Sequence, residues 1–137
     1  MMVVADSGAV YAALDRRDAW HERVRDWIAS SREALLVPVT TLTEITYLLG
    51  VRCGPAAEER FVRDAASGEH VIEPLAAGDV LRAADLMHSY ADLPLGFVDA
   101  SIVAMAERLQ VRDLLTTDRR HFGVVRPAHC ERFKLLP

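Results

Sequence analysis

The chain has 137 residues, 51% of them hydrophobic and 26% charged, with a net charge of −4. That length and balance suit one globular core and exclude a disordered or low-complexity protein. The acidic total argues against binding nucleic acid through bulk charge, while leaving room for a local basic rim.

Residues 2–5 (Met-Val-Val-Ala) form a short apolar run that stops at Asp6. The run predicts a strand buried on both faces. It is too short, and too poor in basic residues, for a signal peptide. A short helix is expected over 7–14, a charged turn over 15–18, and an amphipathic helix over 19–30 with Trp20, Val24, Trp27 and Ile28 on one stripe. A second apolar run, 34–39, is interrupted by Pro38. Helices follow over 40–51, stopped by Gly54-Pro55, and over 56–66, stopped by Ser67-Gly68. Residues 70–73 suggest a third strand. A helix over 78–90 places Val80, Ala83, Ala84, Met87 and Tyr90 on its apolar face. A strongly periodic helix spans 97–110, a fourth strand 111–116, a loop or turn 118–123, and a fifth strand 131–135.

Strands alternate with helices from end to end, which predicts parallel βα units in an α/β fold, a three-layer α/β/α sandwich with a small sheet. Neither a repeat nor a linker interrupts residues 1–137, so one domain is expected. No apolar run reaches the roughly 18 residues of a membrane helix. Cys53 and Cys130 make no CxxC pattern and are read as free thiols of a cytoplasmic protein. The five histidines have no zinc-ligand spacing.

Four acids stand out. In open α/β sheets, sites form beyond the carboxyl ends of strands. Asp6 follows the first strand and Asp118 follows the fourth, so the two share a crevice if those strands are neighbours. Glu44 lies near a helix start, beside an apolar face. It also fits a capping box as Thr41-x-x-Glu44, and both readings stand. Asp99 heads the stripe of Ile102, Val103, Ala106 and Leu109; an N-cap or first-turn acid is the alternative. Converging carboxylates repel and raise one another's pKa values unless a cation joins them. Oxygen ligands select a hard ion, Mg²⁺ or Mn²⁺, which suits phosphodiester hydrolysis.

Asp6-Ser7-Gly8 after a strand, Thr43-Glu44-Ile45, Phe97-Val98-Asp99-Ala100-Ser101-Ile102-Val103-Ala104 and Thr116-Thr117-Asp118-Arg119-Arg120-His121-Phe122 resemble the PIN domain. More narrowly, the chain resembles the VapC toxins of bacterial toxin–antitoxin pairs, over residues 3–133. The resemblance implies a parallel sheet of four or five strands and a divalent-metal endoribonuclease. Asp6, Glu44, Asp99 and Asp118 would be the metal-site carboxylates, with Ser7 and Thr117 as supporting hydroxyls. It further implies cleavage of a transfer RNA or ribosomal RNA loop, leaving a 5′-phosphate and a 3′-hydroxyl. A VapB-type antitoxin would fill the groove of a homodimer, giving a heterotetramer or larger assembly.

Some members carry a further acid after the last motif Asp. Here Arg119, Arg120 and His121 stand there, which points to one tightly bound ion. The cations are fifteen Arg and one Lys, Lys134. Arg119 and Arg120 are read equally as phosphate contacts or as a solvated loop. His121 is read first as a hydrogen-bonded loop residue, with protonation of the leaving oxygen as the functional alternative. Trp20, Trp27, Tyr47 and Phe97 are read as core or dimer packing. The rival functions are a PIN nuclease of RNA processing without an antitoxin, and a non-catalytic PIN-like RNA-binding module. A phosphotransfer enzyme is set aside: Asp6-Ser7-Gly8 lacks a second Asp, and no phosphate-binding glycine loop is present.

Overall fold

The strand expected at residues 2–5 forms, and the sheet is built around it. The computed structural model describes residues 1–137. In chain order the elements are β1 (Met2–Ala5), α1 (Ser7–Leu14), α2 (His21–Ser30), β2 (Ala34–Pro38), α3 (Val39–Cys53), α4 (Pro55–Ala66) and β3 (Val71–Glu73). There follow α5 (Ala77–Ser89), α6 (Phe97–Leu109), β4 (Asp113–Leu115), α7 (Arg119–Val124) and β5 (Lys134–Leu136). The five strands pair in parallel in the order β3-β2-β1-β4-β5. The chain moves outward from β1 to β3 on one side, then crosses to β4 and β5 on the other. The direction of winding therefore switches between β1 and β4, where a crevice opens beyond the strand ends. Val4 lies opposite Leu114 and Ala5 opposite Leu115, so the segments that follow both strands emerge at one edge.

Alternation along the strands divides the core. Val4, Leu36 and Leu114 pack on one face with Leu86, Ile102 and Val103. Val3 and Leu115 pack on the other with Ala9, Ala12 and Val24. Tyr11, Ile45, Leu49 and Phe61 join α1, α3 and α4 in a third cluster. The three-layer sandwich is as expected, and the sheet has five strands. Residues 100–106 of α6 are all buried. Within them, Ser101 Oγ donates to the Val98 carbonyl at 2.6 Å and lies 2.7 Å from Thr40 Oγ1, tying α6 to the start of α3. No helix is long and apolar enough to cross a membrane.

Several local expectations are corrected. Pro38 does not interrupt β2 but ends it, and α3 begins at the next residue with no loop between. Residues 118–123 are not a loop; a six-residue helix starts at Arg119. β5 lies three residues later than expected at its start. The buried face of α5 is Asp79, Ala83 and Leu86, whereas Val80 and Met87 are exposed. The helix is turned because the Asp79 carboxylate meets the Arg108 guanidinium at 3.0 Å and accepts the Ala76 amide at 2.9 Å. Trp20 and Trp27 pack against the core, but Tyr47 and Phe97 are exposed.

Candidate active site

Local sequence explains why each acid stands where it does. β1 is apolar through Ala5, and Asp6 is the first polar residue after it; its backbone is still extended, so it serves as the N-cap of α1. The Asp6 amide donates to the Leu115 carbonyl at 2.9 Å, which prolongs the β1–β4 pairing to the edge of the crevice. Asp118 follows β4 and is the N-cap of α7, its carboxylate accepting the His121 amide at 2.9 Å. Asp99 is the third residue of α6, in the first turn. Glu44 lies in the second turn of α3, because that helix starts at Val39. The capping-box reading of Glu44 is thereby overturned: Thr41 donates to the Pro38 carbonyl at 2.7 Å. Glu44 Oε1 instead accepts from Ser7 at 2.8 Å.

Hydrogen bonds link Asp6, Glu44 and Asp118, and Asp99 lies beside them. Ser7 Oγ lies 3.2 Å from Asp6 Oδ1 as well as 2.8 Å from Glu44, so one hydroxyl spans two acids from different helices. Thr116 Oγ1 donates to Asp6 Oδ2 at 2.5 Å and accepts the Asp118 amide at 2.9 Å. His121 Nδ1 stands 2.8 Å from Asp118 Oδ2. Ligand atoms of Asp99, Asp118 and His121 all lie within 4.8 Å of one another.

Sequence reasoning missed Thr116 and placed the supporting hydroxyl one residue late. Thr117 Oγ1 faces Gly8 closely: a Cβ on Gly8 would lie 2.7 Å from it. Successive side chains leaving a strand point to opposite sides, so a one-residue choice between two threonines reverses the answer. Arg119 is occupied by the fold. Its guanidinium lies over the Trp20 ring, 5.6 Å from the centroid, and donates to the carbonyls of Leu135 and Pro137. Arg120 is exposed.

Electrostatics follows from this crowding. Asp99 is pushed up to about 7, first by burial and then by the charges of Asp6, Asp118 and Glu44. Asp6, only 5% exposed, is also raised by burial, against the lowering effect of hydrogen bonds from Thr116, Ser7 and the Gly8 amide. Such a cluster is poorly satisfied by protons alone and well matched to a divalent cation, which removes the mutual repulsion. The donor set is carboxylate oxygen with one imidazole nearby, so it fits a hard or borderline ion.

A PIN domain family model matches residues 3–126. Ribonuclease VapC26 of Mycobacterium tuberculosis is 34% identical over 135 residues, covering 98% of this chain and 100% of that protein. Among solved structures, the sarcin–ricin loop cleaving toxin VapC20 of Mycobacterium tuberculosis superposes with a TM-score of 0.84 at 20% identity. That match covers 94% of this chain and 98% of VapC20. VapBC2 from Rickettsia felis, bound to a DNA fragment from its promoter, superposes with a TM-score of 0.71 at 13% identity over the full length of both chains.

Proposed function

This chain belongs to the PIN-domain family, in its VapC branch, and from that membership we propose that it is a divalent-metal endoribonuclease acting as the toxin of a toxin–antitoxin pair. The observation that carries the proposal is the convergence of Asp6, Glu44, Asp99 and Asp118, from four separate segments, on the crevice where β1 and β4 diverge. Residues 1–137 act as one nuclease domain in the cytoplasm. The substrate is RNA, supported by the ribonuclease name of the 34% identical relative; we assign it to a structured loop of transfer or ribosomal RNA, as the sarcin–ricin loop is for the structural neighbour VapC20. A VapB-type antitoxin is the partner, supported by toxin–antitoxin complexes among the structural neighbours; a homodimer is the working unit that this reading assigns.

Asp6, Glu44, Asp99 and Asp118 hold the ion, Mg²⁺ or alternatively Mn²⁺. When bound, it supplies positive charge that polarises a phosphodiester and makes water a better nucleophile. The chain's own residues fix the geometry. Thr116 and Ser7 orient Asp6, Ser7 keeps Glu44 beside it, and His121 holds Asp118. Arg120 is free to meet a phosphate of the RNA as it enters.

Purified protein incubated with total transfer RNA and ribosomal RNA tests this. Discrete fragments with 5′-phosphate ends are expected with Mg²⁺ or Mn²⁺, none with EDTA, and none from Asp6→Asn or Asp99→Asn. Failure to cut any RNA with either ion overturns the proposal. Equal cleavage by Asp99→Asn overturns the role of the acids.

A further inference from the structure

His121 meets Asp118 twice. Its amide donates to Oδ1 at 2.9 Å and its ring Nδ1 stands 2.8 Å from Oδ2. Those contacts fix the ring on the first turn of α7, half-buried, facing the acidic crevice rather than the outer surface. A ring nitrogen then lies within 4.8 Å of a carboxylate oxygen of both Asp99 and Asp118. A neutral imidazole always offers one lone pair, and adjacent positions of an octahedral ion lie about 3 Å apart, so a modest side-chain adjustment brings the three donors onto one ion.

We propose that His121 supplies an imidazole nitrogen to the divalent ion held by Asp99 and Asp118, and that this donor makes the site prefer Mn²⁺ to Mg²⁺. The inference rests on the metal-dependent reading above. It adds to that reading a ligand from outside the four carboxylates, with a consequence for ion choice. Mg²⁺ takes oxygen ligands almost exclusively and keeps its waters, whereas transition-series ions gain from a nitrogen donor. Carboxylates alone discriminate weakly between the two, so the nitrogen sets the preference.

A competing role is that the ring merely orients Asp118 through its hydrogen bond. Loss of such an outer partner also weakens metal binding, by about 10- to 100-fold. Affinity for one ion therefore cannot separate the roles, but two other observables can. A positioning ring would weaken Mn²⁺ and Mg²⁺ by the same factor, and it would give no direct nitrogen coupling to the metal.

The full chain loaded with Mn²⁺ is examined by pulsed electron paramagnetic resonance. Nitrogen modulation typical of a coordinated imidazole is expected, changing to the ¹⁵N pattern when histidine is ¹⁵N-labelled. His121→Ala should abolish it and weaken Mn²⁺ by at least about tenfold more than it weakens Mg²⁺. His121→Gln keeps a hydrogen-bond donor for Asp118, so it should fold as wild type, still bind Mn²⁺, and lack the modulation. Absence of Mn²⁺ binding, absence of modulation in wild type, its persistence in both variants, or an equal loss for the two ions overturns the proposal. RNA cleavage is measured separately on the same samples. A coordinated imidazole in a protein that cuts no RNA would sink the nuclease reading and leave this one standing; cleavage without nitrogen coupling would do the reverse.

Discussion

Thr116 Oγ1 donates to Asp6 Oδ2 at 2.5 Å, across 110 residues of sequence. The same oxygen accepts the Asp118 amide at 2.9 Å. One buried hydroxyl at the end of β4 thus sets the position of two of the four candidate-site carboxylates, one through its side chain and one through its backbone.

Replacing Thr116 with Val keeps the shape and removes both bonds. It leaves a buried carboxylate oxygen and an amide without partners. A stability loss on the order of 1–3 kcal/mol is expected, read from urea unfolding, together with weaker RNA cleavage. Thr116→Ser should recover most of both. A Val variant as stable and active as wild type would show that the hydroxyl has no such role.

Asp99 titrates near 7 in the folded chain against 3.8 for a free side chain. Between those values the folded, metal-free protein holds more protons than the unfolded one. Its contribution to stability is therefore present at low pH and lost as pH rises toward 7. Asp99→Asn removes this dependence. In EDTA, the variant should gain on wild type as pH increases from about 5 to about 8, measured as the difference in unfolding midpoints. A constant or shrinking difference contradicts the raised value. Metal binding to wild type should likewise strengthen with pH over the same window, since the ion displaces a proton.

Arg108 pairs with Asp79 and Glu73, both at 3.0 Å, and the Asp79 side chain is only 4% exposed. Arg108→Met would strand that buried charge. Because Arg108 itself keeps part of its head in water, a loss of about 2–3 kcal/mol is expected rather than more. Asp79→Asn in the same chain should restore much of it. Arg108 lies about 14 Å along α6 from Asp99, so cleavage per folded molecule should not change. A loss of turnover at unchanged stability would refute this assignment.

Gly8 leaves no room for a side chain below Thr117, whose Oγ1 would be 2.7 Å from an added Cβ. Gly8→Ala should push Thr117, and with it the Thr116–Asp118 segment, and so reduce cleavage more than stability. Adding Thr117→Ala should relieve the clash and restore activity, a coupling that a double-mutant cycle measures. Additive effects of the two changes would show that the contact is not the cause.

The acids were legible in the sequence because each stands at a break in an apolar pattern. Asp6 and Asp118 end buried strands, and Asp99 heads a helical stripe. What joins them was not legible. Adjacency of β1 and β4 is a long-range property that no local pattern encodes, so the shared crevice was conditional until the strand order was known. α7 is too short to show periodicity, which hid the capping role of Asp118. Glu44 resembled a cap because Pro38 looked like an interruption of β2 rather than its end. The face of α5 was misjudged because a buried ion pair outweighed apolar residues that propensity alone would turn inward.

The sheet order gives the enzyme a timing rule. Three of the four acids, Asp6, Glu44 and Asp99, precede β4 in the chain, yet β4 lies beside β1 and carries the hydroxyl that holds Asp6. A polypeptide interrupted before residue 113 would contain three of the four candidate acids but neither β4 nor the Thr116 hydroxyl that aligns Asp6. Premature termination products should therefore be harmless to the cell that makes them, and competence should arrive abruptly as the final segment docks.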